Sequence, residues 1–329
     1  MAAALGFAGS FLAIALRGVD WTEVGASFAD ADYRYVPAMA ILGIYVLYVR
    51  SQRWRLLLQR AARTDVGMRP IFSANAIGFM ANMLLPLRAG EIARPVLLSG
   101  RTGLALPTVL ATAVMERILD LVVLVCFAMW VVWSSNVPPQ VLKAAWGAGA
   151  LMLIAIGGLV AVHFNRARLL PLVDRLWSIL PPRLASRIRA VEHRFLDDLA
   201  VLGGGTVLLQ ALAWSFYLWL LIAIGFSLGF RITRLEVPFL STGIVVMTLV
   251  ALAVAAPAAP GFVGSFQFAC KVALVEIAGT TAGAALGYSL ITHATQFATQ
   301  VVVGLVYLVR DGVSLSEIGR LGSGRQAEP

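Results

Sequence analysis

Apolar runs alternate with short polar loops along nearly the whole chain. A run of about 20 apolar residues matches the hydrocarbon thickness of a bilayer, so each long run predicts a membrane helix. Residues 2–16 predict the first. No lysine or arginine precedes them, which argues against a secretion signal. Residues 36–49 predict a second helix, which runs into Arg50, Arg53 and Arg55. Those three, with Arg60, Arg63 and Arg69 and only Asp65 opposing, predict a cytoplasmic loop. Residues 104–133, 144–162, 207–230 and 282–309 predict four further spans. The polar, arginine-rich segment 165–205 predicts two amphipathic helices around Pro181 and Pro182, lying on the inner leaflet.

Two apolar runs are broken. Residues 71–100 read IFSANAIGFMANMLLPLRAGEIARPVLLSG. Pro86 interrupts the run; Arg88, Glu91 and Arg94 follow at i, i+3 and i+6, with Gly90 between them and Pro95 closing. The run from 237 ends in AAPAAPGFVG, with Pro257, Pro260, Gly261 and Gly264, and helix resumes from Ser265 towards Ile277. Loops 50–69 and 165–205 are both assigned to the inside, and two full spans already carry the chain out and back between them. The stretch 71–100 must therefore start and end inside, and 237–278 must start and end outside. The expectation is about six full spans plus two broken or re-entrant elements, one from each side, as an inverted repeat would place them.

Composition fixes the class. Hydrophobic residues make up 60% and charged residues 13%. A soluble chain carries about 25% charged residues, so the reading is an all-α polytopic membrane protein. The net charge of +9 is assigned to membrane orientation and contact with anionic lipid, not to nucleic acid. Cys126 and Cys270 both fall in apolar stretches and read as packing residues. His163, His193 and His293 are scattered, which predicts no metal site. No glycine-lysine phosphate loop and no Ser-His-Asp spacing is present, and no cofactor is expected.

Charges inside membrane helices cost roughly 2.5–3.5 kcal/mol each, so they are paired or functional. Three groups qualify. The first is Arg88, Glu91 and Arg94, with Asn75 and Asn82 on one helix face. The second is Glu116, Arg117 and Asp120; Glu116 and Asp120 lie at i, i+4 and can hold an arginine of the first group. The third is Gln267 and Lys271 after the Pro260-Gly261 break, near His293, Gln296 and Gln300. Gly261 and Gly264 flank that break, where the new helix start offers N–H groups to an anion.

The runs NMLLPLRAGEIARPVLL, ATAVMERILDLVVL, PAAPGFVGSFQFACKVAL and YSLITHATQFATQVVVG together resemble the flippase-like membrane-domain family, the lysylphosphatidylglycerol synthase transmembrane region. In the best-known members this domain precedes a soluble aminoacyl-transferase domain and moves its lipid product between leaflets. No such domain follows Arg310 here, so the resemblance implies the translocation half without the synthetic half. Two positions depart from the family pattern: Gln267 stands where glutamate is frequent, and Tyr288-Ser289 where a Tyr-Arg pair is common.

The sequence thus predicts one transmembrane domain over 1–310, a short cytoplasmic tail over 311–329, and a multi-pass location in a bacterial inner membrane. The expected function is translocation or binding of a membrane lipid (phospholipid, glycolipid or hopanoid type), with room for a homo-oligomer. The alternative is a membrane-embedded transferase acting on a lipid-linked substrate. Arg88 and Arg94 are expected to bind phosphate, and Glu91 to orient them or to meet a cationic headgroup. Glu116, Arg117 and Asp120 are expected to hold that site, with Gln267, Lys271 and His293 opposite.

Overall fold

A computed structural model describes residues 2–85, 88–135, 205–255 and 260–313, with isolated residues between 137 and 150. Nearly all of the expected 144–162 span lies outside the described residues, as do the 165–205 amphipathic pair, Pro86, Pro257 and the tail beyond 313. All regular structure among the described residues is helical. The helices are α1 Ala2–Leu16, α2 Trp21–Ala29, α3 Val36–Ala62, α4 Met68–Leu84, α5 Ala89–Thr102 and α6 Leu106–Ser134. They continue as α7 Gly205–Thr233, α8 Phe239–Ala255, α9 Ser265–Lys271 and α10 Ala282–Arg310. A single π-helical stretch, Val272–Ile277, extends α9.

Local chemistry explains several boundaries. Asp20 caps α2 by accepting the Thr22 N–H at 2.9 Å. Prolines occupy the first turns of α3 and α6, where no helical N–H bond is lost. Thr281 caps α10 by accepting the Ala284 N–H. The acid-leaning loop between the first two predicted spans therefore contains a helix, α2.

Two expectations are corrected. The segment from Arg50 to Arg60 is not loop: α3 runs on through Arg50, Arg53 and Arg55 to Ala62, and ends where Arg63 turns left-handed. No helix breaker stands before Ala62, arginine is a good helix former, and Arg53 finds its partners inside the protein. Pro95 does not close a helix; it sits inside α5, which continues to Thr102.

The interior divides into two cores. One gathers Trp54, Ile71, Ile77, Leu98 and Leu308 around the α4–α5 hairpin. The other gathers Phe226, Val246, Phe266, Cys270 and Tyr288 around α8 and α9. Cys270 is buried there, whereas Cys126 lies on an exposed face. Small residues let the helices touch: a Cβ on Gly90 would fall 1.8 Å from the Gly78 carbonyl oxygen, and one on Gly304 would meet Met80 Cβ at 2.3 Å.

The two broken elements meet at their tips. Gly261 takes φ +66°, and a Cβ there would approach the Met83 carbonyl oxygen, at the end of α4, to 3.3 Å. Arg88 lies over the Phe262 ring at 5.6 Å. Helices α7 and α10 are long and apolar enough to cross a membrane. Helices α3 and α6 match them in length but carry charges, of which Arg53, Glu116 and Asp120 are buried while Arg60 is exposed.

Candidate functional site

Five helices build one buried polar cluster. Arg50 and Arg53 come from α3, Asn75 from α4, Glu91 and Arg94 from α5, Glu116, Arg117 and Asp120 from α6, and Ser215 and Trp219 from α7. Arg53 has no exposed surface. Its guanidinium donates to Asp120 Oδ1 at 2.5 Å, Ser215 Oγ at 2.8 Å and Glu116 Oε1 at 3.1 Å. Arg94 donates to Glu116 Oε2 at 2.8 Å and Asn75 Oδ1 at 3.0 Å, and lies over the Trp54 ring at 4.5 Å. Glu116 thus gives one oxygen to each arginine. Asn75 passes the network on by donating to Ser51 Oγ at 2.8 Å, and Trp219 donates to Asp120 Oδ1 at 3.1 Å.

The rim of the cluster is looser. Arg117 is 3.3 Å from Asp120 Oδ2 and 3.8 Å from Glu91 Oε1. Asn82 lies 3.5 Å from the same Glu91 oxygen. Arg50 stands 3.8 Å from Asp120 Oδ2 and over the Phe79 ring at 4.9 Å. Arg88 starts α5 in the left-handed conformation, and its guanidinium is half-buried against Phe262. Burying ions in low dielectric demands this density of partners, because each desolvated charge is costly unless its donors and acceptors are matched.

The residues predicted from the first two groups, Asn82, Arg88, Glu91, Arg94, Glu116, Arg117 and Asp120, are therefore brought together. The expected hold of Glu116 on an arginine of α5 is present. Arg50 and Arg53 were missed. The available signal was their i, i+3 spacing in an uninterrupted helical continuation of the 36–49 run.

The third predicted group divides. Gln267 Oε1 accepts the Gly264 N–H at 2.8 Å, and its Nε2 donates to His293 Nδ1 at 3.1 Å. That places the imidazole proton on Nε2, which is buried without a partner among the described residues. The Phe266 ring stacks on His293 with centroids 4.3 Å apart. Gly264, at φ +89°, turns the chain into α9. The Gly264 N–H at the entry to α9 is therefore already occupied by Gln267. Lys271 points elsewhere: its Nζ donates to the carbonyls of Ile14, Ala15 and Arg17 at the end of α1.

An apolar cavity of about 230 Å³ adjoins the charged cluster, bounded by α3, α4, α7, α8 and α10. Leu47, Phe226, Met247 and Val250 form its walls, and Arg50 and Trp219 also line it. Gln296 and Gln300 of α10 line it too, and Gln300 Oε1 is buried without a hydrogen-bond partner among the described residues. Chemically, the arrangement offers a cation-rich polar interior beside an apolar slot.

The chain matches the lysylphosphatidylglycerol synthase TM region over residues 1–304, and it belongs to that family. It is also similar to the glycosyltransferase AglD of Haloferax volcanii, with 26% identity over 93% of this chain. The match spans 53% of that relative's length. No solved structure matches the chain.

Proposed function

We propose that the protein binds a membrane lipid and carries it between the leaflets of a bacterial cytoplasmic membrane. The observation behind this reading is the tip-to-tip meeting of two broken helical elements beside a buried polar cluster. Helices α4 and α8, of 17 residues each, reach about 25 Å and fall short of a hydrocarbon core of about 30 Å. Helices α3, α6, α7 and α10, of 27 to 29 residues, exceed it. In this reading the short elements enter from opposite faces as re-entrant halves of an inverted repeat, within about six full spans. Broken helices at the midplane free polar groups for a ligand, which is how many transporters build their sites.

Within that site Arg53, Arg94, Glu116 and Asp120 form the frame, and the half-exposed Arg88, Glu91 and Arg117, with the buried Asn82, meet the ligand. Gln267 and His293, with Gly261 and Gly264, close the opposite half. Lys271 falls outside the site. The test is reconstitution into vesicles carrying a headgroup-labelled fluorescent lipid, with a membrane-impermeant quencher added outside. Translocation exposes the inner-leaflet pool to the quencher. Arg88→Ala should suppress this while leaving expression near normal. Identical quenching in protein-free and protein-containing vesicles would remove the reading.

A second reading, a transferase acting on a lipid-linked substrate, is favoured by the name of the relative. Incubating purified protein with membrane lipids and searching for a new product by mass spectrometry separates the two.

A further inference from the structure

We infer that the lipid headgroup is net anionic and that Arg50 reads it, with one apolar chain lying in the adjoining cavity. This rests on the lipid-binding reading above and names its substrate class and a binding residue. The first argument is charge. Arg50, Arg53, Arg94 and Arg117 are each paired with, or within 3.8 Å of, a carboxylate of the cluster. Arg88 lies three residues before Glu91, at the start of α5. Among the described residues five arginines thus gather around Glu91, Glu116 and Asp120, an excess of two positive charges in an apolar setting. A cationic headgroup would add to that excess. The lysyl ester in the family's name, with two ammonium groups against one phosphate, is such a headgroup. An anion completes the site.

The second argument is which arginine is free to take it. Arg53 and Arg94 spend their guanidinium N–H groups on Asp120, Glu116, Ser215 and Asn75. Arg50, like Arg88 and Arg117, makes no hydrogen bond among the described residues, but of the three it is the one that lines the cavity. Its nearest carboxylate group, Asp120, already accepts from Arg53 and Trp219 and faces Arg117. Phe79 holds the guanidinium from one side, and the cavity lies beside it. A planar guanidinium so placed presents a donor fork that suits a phosphate.

The third argument is the cavity. Its wall is apolar except for Arg50 and the α10 residues Thr295, Gln296, Thr299 and Gln300, so a chain can lie along it while the headgroup meets the polar positions. Its volume is below the roughly 300–1,000 Å³ of drug-sized pockets, so it takes one chain, not a whole two-tailed lipid.

The experiment titrates the full chain in neutral detergent with lysophosphatidic acid and with lysophosphatidylcholine of the same chain, reading tryptophan fluorescence; Trp219 lines the cavity. Lysophosphatidic acid should bind about tenfold tighter or better, the scale of a charge-assisted contact. Arg50→Gln should abolish that preference and leave the weaker, chain-driven binding. Arg50→Lys should keep only part of it. Gly225→Leu tests the chain independently. A Cβ at Gly225 meets only Leu42, at 3.8 Å, and Gly225 lines the cavity, so a side chain added there takes up cavity space. It should weaken both lipids and preserve their ratio.

Equal affinity for the two lipids overturns the inference, as does a preference that survives Arg50→Gln. Should Arg50→Gln not fold, full preference in Arg50→Lys together with unchanged binding in Gly225→Leu overturns it. Inorganic phosphate competing as well as the lipid would make this a free-phosphate site and remove the lipid. Loss of translocation with the preference intact would count against the transport reading alone. Translocation without the preference would count against this inference alone.

Discussion

The two broken elements are alike in outline and opposite in content. The first, α4–α5, is surrounded by full charges: Arg53, Arg94, Glu116 and Asp120 lock three helices through ionic hydrogen bonds, and Arg94 ties in α4 through Asn75. The second, α8–α9, faces the first with neutral groups. One glutamine bridges a backbone N–H and an imidazole, an aromatic ring stacks on that imidazole, and the helix then loosens into a π turn. Ionic contacts in low dielectric are expensive to break, whereas a neutral hydrogen bond nets only about 0.5–1.5 kcal/mol. A carrier needs one part that holds its geometry and one that rearranges cheaply. The charged half suits the frame and the neutral half suits the moving part.

The sharpest way to break this contrast is Arg53→Ala. The change strands Glu116 and Asp120 in the interior, and removal of one partner from a buried pair costs about 3–5 kcal/mol. The variant should melt far below the native protein in detergent, or fail to accumulate. The double variant Arg53→Met with Asp120→Leu should recover part of the loss, since apolar replacement of both partners is often neutral. A single variant of native stability would mean that the charged half is no frame.

Next in size is Gly90→Ala. The added methyl would sit 1.8 Å from the Gly78 carbonyl oxygen, so α4 and α5 must separate. Overpacking of this kind costs typically about 1–3 kcal/mol. The same displacement shifts Glu91 and Arg94, so lipid binding should fall along with the melting temperature. A loss of stability with binding intact would uncouple the hairpin from the site.

Much of this was legible beforehand. The ends of α1 and α10 fall within a residue of the apolar runs, because there the hydropathy boundary and the helix boundary coincide. The breaks were legible because proline and glycine act locally. The Arg94–Glu116 pair was legible because both residues are charges marooned in apolar sequence. Arg50 and Arg53 were not. Arginines that follow an apolar run normally signal a cytoplasmic loop, and the partners that draw them inside lie 60 or more positions away, at Glu116 and Asp120. The cavity was invisible for the same reason: five helices spread along the sequence contribute its walls. Helix α2 did leave a signal, an aspartate at 20 with Glu23 three residues on, which the acidic character of the loop obscured.

A smaller effect is expected on the neutral side. Gln267→Leu leaves the Gly264 N–H and His293 Nδ1 without partners, at a cost of about 1–2 kcal/mol. Vesicle assays should show slowed translocation with headgroup preference retained, because the charges lie in the other half. Loss of the preference would place His293 and Gln267 in headgroup recognition and erase the division between frame and moving part.

The smallest effect belongs to Lys271. Its position four residues after Gln267 suggested a shared face on a ligand, yet its ammonium donates to three carbonyls at the C-terminal end of α1. Of those carbonyls only that of Ile14 accepts a backbone N–H among the described residues, from Arg17 at 3.3 Å, and a cation there is favoured by the helix dipole. The benefit is of order 0.3–1 kcal/mol at partly exposed sites. Lys271→Ala should therefore lower the melting temperature only slightly and leave lipid binding unchanged. What it should alter is the anchorage of α1, which also leans on α9 through the stacked rings of Phe11 and Phe268. Limited trypsin digestion reports this directly, because Arg17 ends the anchored segment and becomes a cleavage point once the turn at Gly18 loosens. Faster cutting at Arg17 with native lipid affinity is the expected outcome. Reduced lipid affinity with an unchanged digestion pattern would return Lys271 to the ligand site and bring a full charge into the half described here as neutral.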